Sequence, residues 1–383
     1  MKPDTYFDNP VHPVSLKLWP RLNGEKLRAW DGADLLLLEH IAEQDASTEQ
    51  DAADQPATLV LNDPNGALTL PLLAAGVKVH ASGDSWLAQK ALLTNAEDND
   101  LATDTLSWSW PDEEVAQPIA RVLIRLPKSL SLFESQLATI AGTLPEGTQV
   151  IVSSMDKHTP PSVMKILEKY FLSVEHGLGR RKAHLYFAQL GHQTAQQRTA
   201  PAVFAIPALQ GKEICAQPGT FSGDKLDIGA RFFSEHVPSD VAGNIADLGC
   251  GNGVIGLVAL DRNPEASVWF CDESAQAVSS AKTNTAALYP KRECSFHHGN
   301  GLDGLAETFS LILLNPPFHR GHAVDEGVSS MLFKHARRHL NSDGELYVIG
   351  NRHLKYNLPL RKLFGSVREV AANDKFTIWA AKF

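Results

Sequence analysis

"IADLGCGNGVIGL", residues 245–257, sets three glycines within five positions, Gly249, Gly251 and Gly253, between an apolar run and a helical one. Asn244 to Leu248 reads as a short buried strand, and Val254 to Leu260 has the apolar content of a helix packed on a sheet. Glycines let the connecting backbone enter conformations closed to other residues and let a ligand approach it closely. The helix start behind them offers unpaired N–H groups and positive dipole character. Gly251 to Gly256 also fits the spacing GxGxxG, with Asp272 lying 21 residues after Gly251. That string places a binding turn at a strand–helix junction without choosing the ligand.

Outward from this turn, strands and helices alternate. Ser267 to Cys271 reads as the next strand and Ser274 to Leu288 as a helix. Strands Cys294 to His298 and Ser310 to Leu314 follow, then a helix from about Val328 to Leu340. Strands Glu345 to Ile349 and Phe376 to Lys382 end the pattern. Strands that are apolar without alternation are buried on both faces, so the expectation is an α/β fold with a mainly parallel sheet.

The first half repeats this plan in worn form. Thr58 to Leu61 leads into Asn62-Asp63-Pro64-Asn65-Gly66, where the second half has Asp247 to Gly251. Val77 to Ala81 leads to Asp84 as the later strand leads to Asp272, and Val122 to Ile124 leads to Arg125-Leu126-Pro127-Lys128 as the later one leads to Asn315. Gln149 to Val152 and Ala183 to Phe187 correspond to the last two strands. The first three offsets, 185, 188 and 190, are nearly constant, which predicts duplication of a whole Rossmann-like domain. The expected division is a degenerate first copy over 1–195 and an intact one over 205–383, joined by a linker within Gly191 to Pro201.

Bulk properties fit a soluble globular chain: 383 residues, 43% hydrophobic and 21% charged. No apolar stretch approaches the ~20 residues that a membrane helix needs, and Met1 to Pro20 has neither the basic nor the apolar region of a secretory signal. Cys215, Cys250, Cys271 and Cys294 show no CxxC spacing, so reduced thiols in a cytoplasmic protein are expected, and no metal site. The net charge of −9 is unevenly spread. Residues 1–115 hold 7 Lys+Arg against 20 Asp+Glu, a balance of −13, and the remainder holds 28 against 24, or +4. A basic surface on the second half is therefore compatible with the acidic total.

The carboxylates around the glycine turn favour S-adenosylmethionine over a dinucleotide. Asp247 precedes the first glycine, where a pyrophosphate would meet negative charge but an ammonium group would be welcome. Asp272, at the next strand's end, can accept hydrogen bonds from both ribose hydroxyls; helix capping competes as an explanation for both residues. Asn300, between Gly299 and Gly301, is the candidate partner of the adenine amino group, and ordinary turn chemistry is its alternative. Phe221, in Phe221-Ser222-Gly223-Asp224-Lys225, is a candidate wall of the cofactor site. Gly249, Gly251 and Gly253 would pass closest to the cofactor.

Asn315-Pro316-Pro317-Phe318 ends the fourth strand in a rigid turn. The Asn315 amide oxygen and the Pro316 carbonyl can accept from one exocyclic NH₂, and neither proline brings a competing N–H. Phe318 can stack on a flat substrate. This arrangement suits methylation of a planar amine by positioning and fixed dipoles, without a strong base. His319 has no assigned role.

These motifs together, FSGDKLDIGARFF, ADLGCGNGVIGL, DESAQAV, NPPFHRGHA and GELYVIGNRHLKY, resemble the class I S-adenosylmethionine-dependent methyltransferases, and within them the large-subunit branch of the guanine-N2 ribosomal RNA methyltransferases. The resemblance is dense from Phe221 onward and thinner before it. It implies methyl transfer to a guanine N2 in 23S ribosomal RNA, and a duplicated fold whose first copy has lost catalysis and assists RNA recognition or stability. Other planar amines (a 16S guanine, adenine N6, a protein glutamine) and a noncatalytic RNA-binding assembly factor are the alternatives. Under the resemblance, Lys334, Arg337 and Arg338, spaced to share one helical face, would join Arg320 and Arg352 in gripping phosphates. Arg180-Arg181-Lys182 is a further basic candidate in the first copy.

Overall fold

The computed structural model describes residues 5–21, 27–46, 56–191, 200–223, 225–317 and 323–383, with backbone alone for 323–326. The chain divides into two units, Met1–Ala200 and Pro201–Phe383. Most of the expected linker lies outside the described residues.

In the first unit, a small antiparallel pair, β1 (Tyr6–Phe7) and β2 (Val14–Ser15), precedes helix α1 (Gly32–Asp45). Then come β3 (Ala57–Leu61), α2 (Thr69–Ala74), β4 (Val79–Ser82), α3 (Trp86–Asp98), β5 (Leu106–Ser109) and β6 (Ile119–Arg125). Helix α4 (Leu130–Thr143), β7 (Gln149–Met155), α5 (Val163–Tyr170), β8 (Ser173–His176) and β9 (Ala183–Gln189) complete it. The second unit opens with a hairpin, β10 (Ala202–Ile206) and β11 (Lys212–Ala216), and α6 (Ile228–Ser234). It continues through β12 (Gly243–Leu248), α7 (Val254–Arg262), β13 (Ala266–Asp272), α8 (Ala275–Leu288), β14 (Cys294–His298) and β15 (Phe309–Leu314). Last are α9 (Ala323–His339), β16 (Leu340–Asn351), α10 (Asn357–Arg361), β17 (Ser366–Ala372) and β18 (Phe376–Lys382).

The two seven-stranded sheets have one topology. The first runs β5-β4-β3-β6-β7-β9-β8 and the second β14-β13-β12-β15-β16-β18-β17, the same order position for position. In each, five strands run parallel and the last two form an antiparallel flap. An identical crossed order twice in one chain is what duplication of a Rossmann-like domain produces. The expected α/β class and tandem architecture are thus present.

Burial of both sheet faces explains the unbroken apolar strands. In β15, Leu311 and Leu313 enter one core cluster with Ile245, Phe270 and Ile349, while Ile312 and Leu314 enter another with Leu248, Phe333 and Val348. A central strand such as β15 thus has no polar face, and the crossovers through α7, α8 and α9 supply the cover. The sequence missed β17 and its counterpart β8, edge strands with mostly exposed side chains, together with the edge strand β5 and the β10–β11 hairpin.

Close packing of α7 on β13 depends on one position. A Cβ at Gly256 would lie 2.3 Å from Cε1 of the fully buried Phe270, which itself stacks on Phe296. Gly256→Ala should destabilise the second unit by about 1–3 kcal/mol through overpacking. Hydrogen exchange should then speed up in α7 and β13 peptides and stay unchanged in those of the first unit; equal protection in both proteins would remove the steric argument.

Candidate active site

In the second sheet, β12 and β15 are neighbours whose chain connections lead away in opposite directions, β12 toward β13 and β15 toward β16. Their C-terminal ends therefore open a crevice that no crossover helix can cover, where open α/β sheets take ligands. The glycine turn leaves β12 and the Asn315 turn leaves β15 at this point. The Asn315 carbonyl oxygen lies 3.7 Å from where a Cβ on Gly249 would stand, so the two turns abut.

Backbone bonds shape the glycine turn. The N–H groups of Gly249 and Cys250 both donate to the Cys271 carbonyl, at 2.8 and 3.1 Å, and Gly253 N–H donates to the Cys250 carbonyl at 2.8 Å. Gly251 and Gly253 have φ of +53° and +85°, a region costly for other residues. A Cβ on Gly253 would also press on Ala281 at 3.0 Å, whereas one on Gly251 would meet nothing within 4 Å. The turn is therefore packed tightly behind Gly253 and open beside Gly251.

Asp247 and Asp272 brace this turn from below. Asp247 is 2% exposed, and its Oδ2 accepts the Gly256 N–H at 2.7 Å, capping the first turn of α7 from the preceding strand. Burial pushes its carboxyl up to about 7, against the pull of the Gly256 N–H and with a further rise from the charge of Asp272. Asp272 accepts from Gly251 N–H through Oδ2 at 2.9 Å and from Ser274 N–H through Oδ1 at 3.0 Å. The N-cap of α8 is Ser274, whose hydroxyl accepts from Ala277 N–H, so Asp272 ties two turns together instead of capping the helix. Burial pushes the Cys250 and Cys271 thiols up, as does the charge of these carboxylates, which leaves both as unreactive packing groups.

Of the outer candidates, Asn300 is buried, and its Nδ2 donates to Asp303 Oδ2 at 2.9 Å. Phe221 is 63% exposed in a turn before α6. The residue beside it, Thr220, points inward and meets the Ser280 hydroxyl at 3.1 Å. Three α8 residues that sequence patterning passed over hold the site's rear. Asn284 is saturated: its Oδ1 accepts from Cys215 N–H, and its Nδ2 donates to the carbonyls of Cys215 and Asn252 at 2.7 and 2.9 Å. It thereby clamps β11 to the glycine turn. Ser280 accepts from Gln217 N–H and donates to the Gln276 carbonyl. Gln276, Ser280 and Asn284, at i, i+4 and i+8, form a polar stripe that is fully buried, and that spacing was the available signal.

The Asn315 turn carries the group with the clearest chemical demand. Asn315 Oδ1 is buried and accepts no hydrogen bond among the described residues. A buried carbonyl without a donor costs about 1–3 kcal/mol, so such an atom marks a place prepared for one. Pro316 is buried and Pro317 exposed. Phe318 and Arg320, with His319 and His322, lie outside the described residues.

The first unit shows the same crevice closed by the chain's own groups. Leu61 pairs with Ile124 as Leu248 pairs with Leu314, so Arg125 stands at the position of Asn315. By the same register Gly83, one residue before the expected Asp84, corresponds to Asp272. The Arg125 guanidinium bonds Asp31 and Asp34, each at 2.8 Å. Asn62 donates to the Arg125 carbonyl and pairs with the Gln136 amide. Asp63 accepts from the N–H groups of Gly66, Ala67, Leu68 and Thr69 and from the Thr69 hydroxyl, filling the helix start that a ligand would use.

Among the basic candidates, Lys334, Arg337 and Arg338 are all exposed on α9. Arg337 donates to the Leu363 carbonyl and lies over the Phe383 ring, and Arg352 donates to the Asn373 carbonyl. In the first unit Arg180 and Arg181 both pair with Glu39. Among the described residues no group of His, Cys, Asp and Glu side chains could hold a metal ion.

Comparison with known proteins matches residues 211–380 to the Methyltransferase small domain and residues 4–192 to the RLMG N-terminal domain. The chain is 41% identical over 380 residues to ribosomal RNA large subunit methyltransferase G of Alcanivorax borkumensis, covering 98% of this chain and 96% of that one. It is 38% identical to the protein of the same name from Pseudomonas fluorescens, covering 98% and 99%. Among solved structures, a T. thermophilus 16S rRNA N2 methyltransferase in complex with AdoMet and guanosine shares the fold, with a TM-score of 0.74 at 18% identity over 99% of this chain and 97% of that one.

The weakened acidity of Asp247 has a measurable consequence. Its carboxyl holds a proton up to about pH 7 in the folded chain but releases it near 3.8, the ordinary aspartate value, when unfolded. Between those values the folded state binds more protons, so this group's contribution to stability falls as pH rises from 4 toward 7 and is flat above. Without cofactor, Asp247→Asn should therefore gain stability over the natural protein on going from pH 5 to pH 8, by on the order of 2–4 kcal/mol. Denaturant unfolding at a series of pH values checks this, and parallel curves for the two proteins would contradict it.

Proposed function

The chain belongs to the ribosomal RNA large subunit methyltransferase G family, and on that footing we propose that it transfers a methyl group from S-adenosylmethionine to the exocyclic N2 of one guanine in 23S ribosomal RNA. The observation that carries this at the level of atoms is the buried Oδ1 of Asn315 beside the glycine turn, which accepts no hydrogen bond among the described residues. An acceptor fixed there needs a donor, and a nucleobase amine supplies one.

S-adenosylmethionine brings an electrophilic methyl on its sulfonium. The backbone of Gly249, Gly251 and Gly253 would hold the cofactor, Asp247, ionised by the ammonium group beside it, would hold that group, Asp272 would receive the ribose hydroxyls, and Asn300 the adenine amine. Phe221 closes the outer side. Asn315 Oδ1 and the Pro316 carbonyl accept the two hydrogens of the guanine amine, and Phe318 stacks on the base. The guanine nitrogen would attack the methyl carbon, the N–C bond forming as the S–C bond breaks, and the surplus proton would pass to water. Because the two oxygens are fixed before the reaction, they stabilise the positive charge growing on nitrogen without reorganising.

Arg352, just past the C-terminal end of β16, serves as a phosphate contact beside this crevice, with Lys334, Arg338 and Arg320 as further contacts; Arg337, over the Phe383 ring at the opposite edge of the sheet, would meet only RNA that reaches beyond the crevice. The first unit, its own crevice filled by Arg125 and Asp63, supports RNA recognition. Arg337 and Arg352, already bonded to backbone carbonyls, offer less to phosphate than Lys334 and Arg338. A protein acting on ribosomal RNA would work in the cytoplasm. Among the described residues no helix is long and apolar enough to cross a membrane.

Mapping N2-methylguanine in 23S ribosomal RNA from a strain lacking the gene tests the proposal. One modified position should disappear, return with the natural gene and stay absent with Asn315→Ala; an unchanged pattern in the deletion strain would refute it. In purified form Asn315→Ala should lose about 10²-fold or more of its transfer rate. Its affinity for S-adenosylmethionine by calorimetry should stay within about threefold, since the residue addresses the substrate amine.

A further inference from the structure

The loop after β14 is fastened to α9 by a buried imidazole, and we propose that Asp303 and His335 form a positioning pair that fixes the Asn300 amide as an acceptor, selecting a cofactor base that carries an exocyclic amino group. The inference rests on Asn300 meeting the adenine end of the cofactor, as set out above.

The bonds run in one direction. Leu302 N–H donates to His335 Nδ1 at 3.4 Å, so that nitrogen has a lone pair and the ring proton sits on Nε2. Nε2 faces Asp303 Oδ1 at 3.3 Å. The other carboxylate oxygen of Asp303, Oδ2, accepts from Asn300 Nδ2 at 2.9 Å. A carboxylate only accepts, so it can bond the NH₂ side of the Asn300 amide and never its carbonyl side. With Nδ2 committed, Oδ1 is the edge that Asn300 offers a ligand. An oxygen there satisfies adenine's 6-amino group and opposes a 6-oxo group.

Packing holds the pair in place. His335 is 3% exposed on α9, whereas the Asp303 side chain is 47% exposed, so one member is immobile and the other readily changed. A Cβ on Gly301 would come within 2.6 Å of His335 Nδ1, which seats the loop backbone directly on the ring. Met331, one turn earlier on α9, brings its sulfur to 3.9 Å from Asn300 Nδ2. Burial lowers the basicity of His335, with Arg338 and His339 adding to the effect and Asp303 opposing it, so the ring is neutral as the Leu302 contact requires. The same helix follows the Asn315 turn in the chain, so the element behind the substrate turn also shapes the cofactor's base pocket.

Calorimetry with S-adenosylhomocysteine and with S-inosylhomocysteine, its 6-oxo analogue, tests the pair on the whole protein. The natural protein should prefer the adenosyl ligand by about tenfold or more, the worth of one hydrogen bond made against one opposed. Asp303→Ala and His335→Leu should each cut that preference at least about threefold and raise KM for S-adenosylmethionine with little change in kcat at saturation. His335→Gln, which presents an amide donor and acceptor in similar places, should keep it. Should His335→Leu fail to fold, the surface change Asp303→Ala decides alone, and an unaltered preference there overturns the inference. Asn300→Ala separates the two levels. If it leaves the preference intact, the placement of adenine at Asn300 is wrong; if it abolishes the preference while Asp303→Ala does not, the positioning pair alone is refuted.

Discussion

Two parallel strands buried on both faces, Gly243–Leu248 and Phe309–Leu314, impose most of the remaining architecture. A strand with no polar face must be covered by helices above and below, and parallel neighbours require crossovers long enough to be those helices. Right-handed crossovers leading away on opposite sides leave one place uncovered, the joint C-terminal end of the two strands. The glycine turn and the Asn315 turn stand at that place. Polar chemistry is affordable there because the same geometry that buries the strands leaves their ends open.

The first unit shows that the frame does not require the chemistry. It keeps the strand order, but a buried arginine held by Asp31 and Asp34 occupies the position of Asn315, and Asp63 takes up four N–H groups at the start of α2. Charged groups in such a place need partners, and they found them in one another. In the second unit the corresponding places hold glycines with open space beside Gly251 and an amide oxygen with no donor among the described residues. The difference between a closed frame and an open site lies in where hydrogen-bonding capacity is spent, since the backbone topology is common to both.

Site support comes from residues whose polarity looks unremarkable along the chain. Asn284 joins α8, the β10–β11 hairpin and the glycine turn with all its hydrogen-bonding groups used, and Ser280 anchors the segment leading to Phe221. Asp272 acts on the glycine turn itself through Gly251 N–H. These bonds make the binding turn rigid before any ligand arrives, which lowers the entropy that binding must overcome.

Much of this was legible in order along the chain. Strand-end motifs, glycine spacing, the paired carboxylates and the near-constant offsets between halves are local or periodic signals, and they suffice for the tandem α/β class and for the location of the crevice. The exposed edge strand Ser366–Ala372 carried no such signal, and register moved the counterpart of Asp272 from Asp84 to Gly83. The sequence by itself determined which residues gather at the strand ends, because burial on two faces dictates composition and turns dictate glycine and proline. Only the tertiary structure decided which polar groups are partnered: the Arg125 charge by the carboxylates of Asp31 and Asp34, Asn300 Nδ2 by Asp303, Asn315 Oδ1 by nothing among the described residues. Arg125 and Asp31 lie 94 residues apart, and even Asn300 and Asp303, three apart, meet only through the turn that packing against α9 imposes; no local pattern records either pairing.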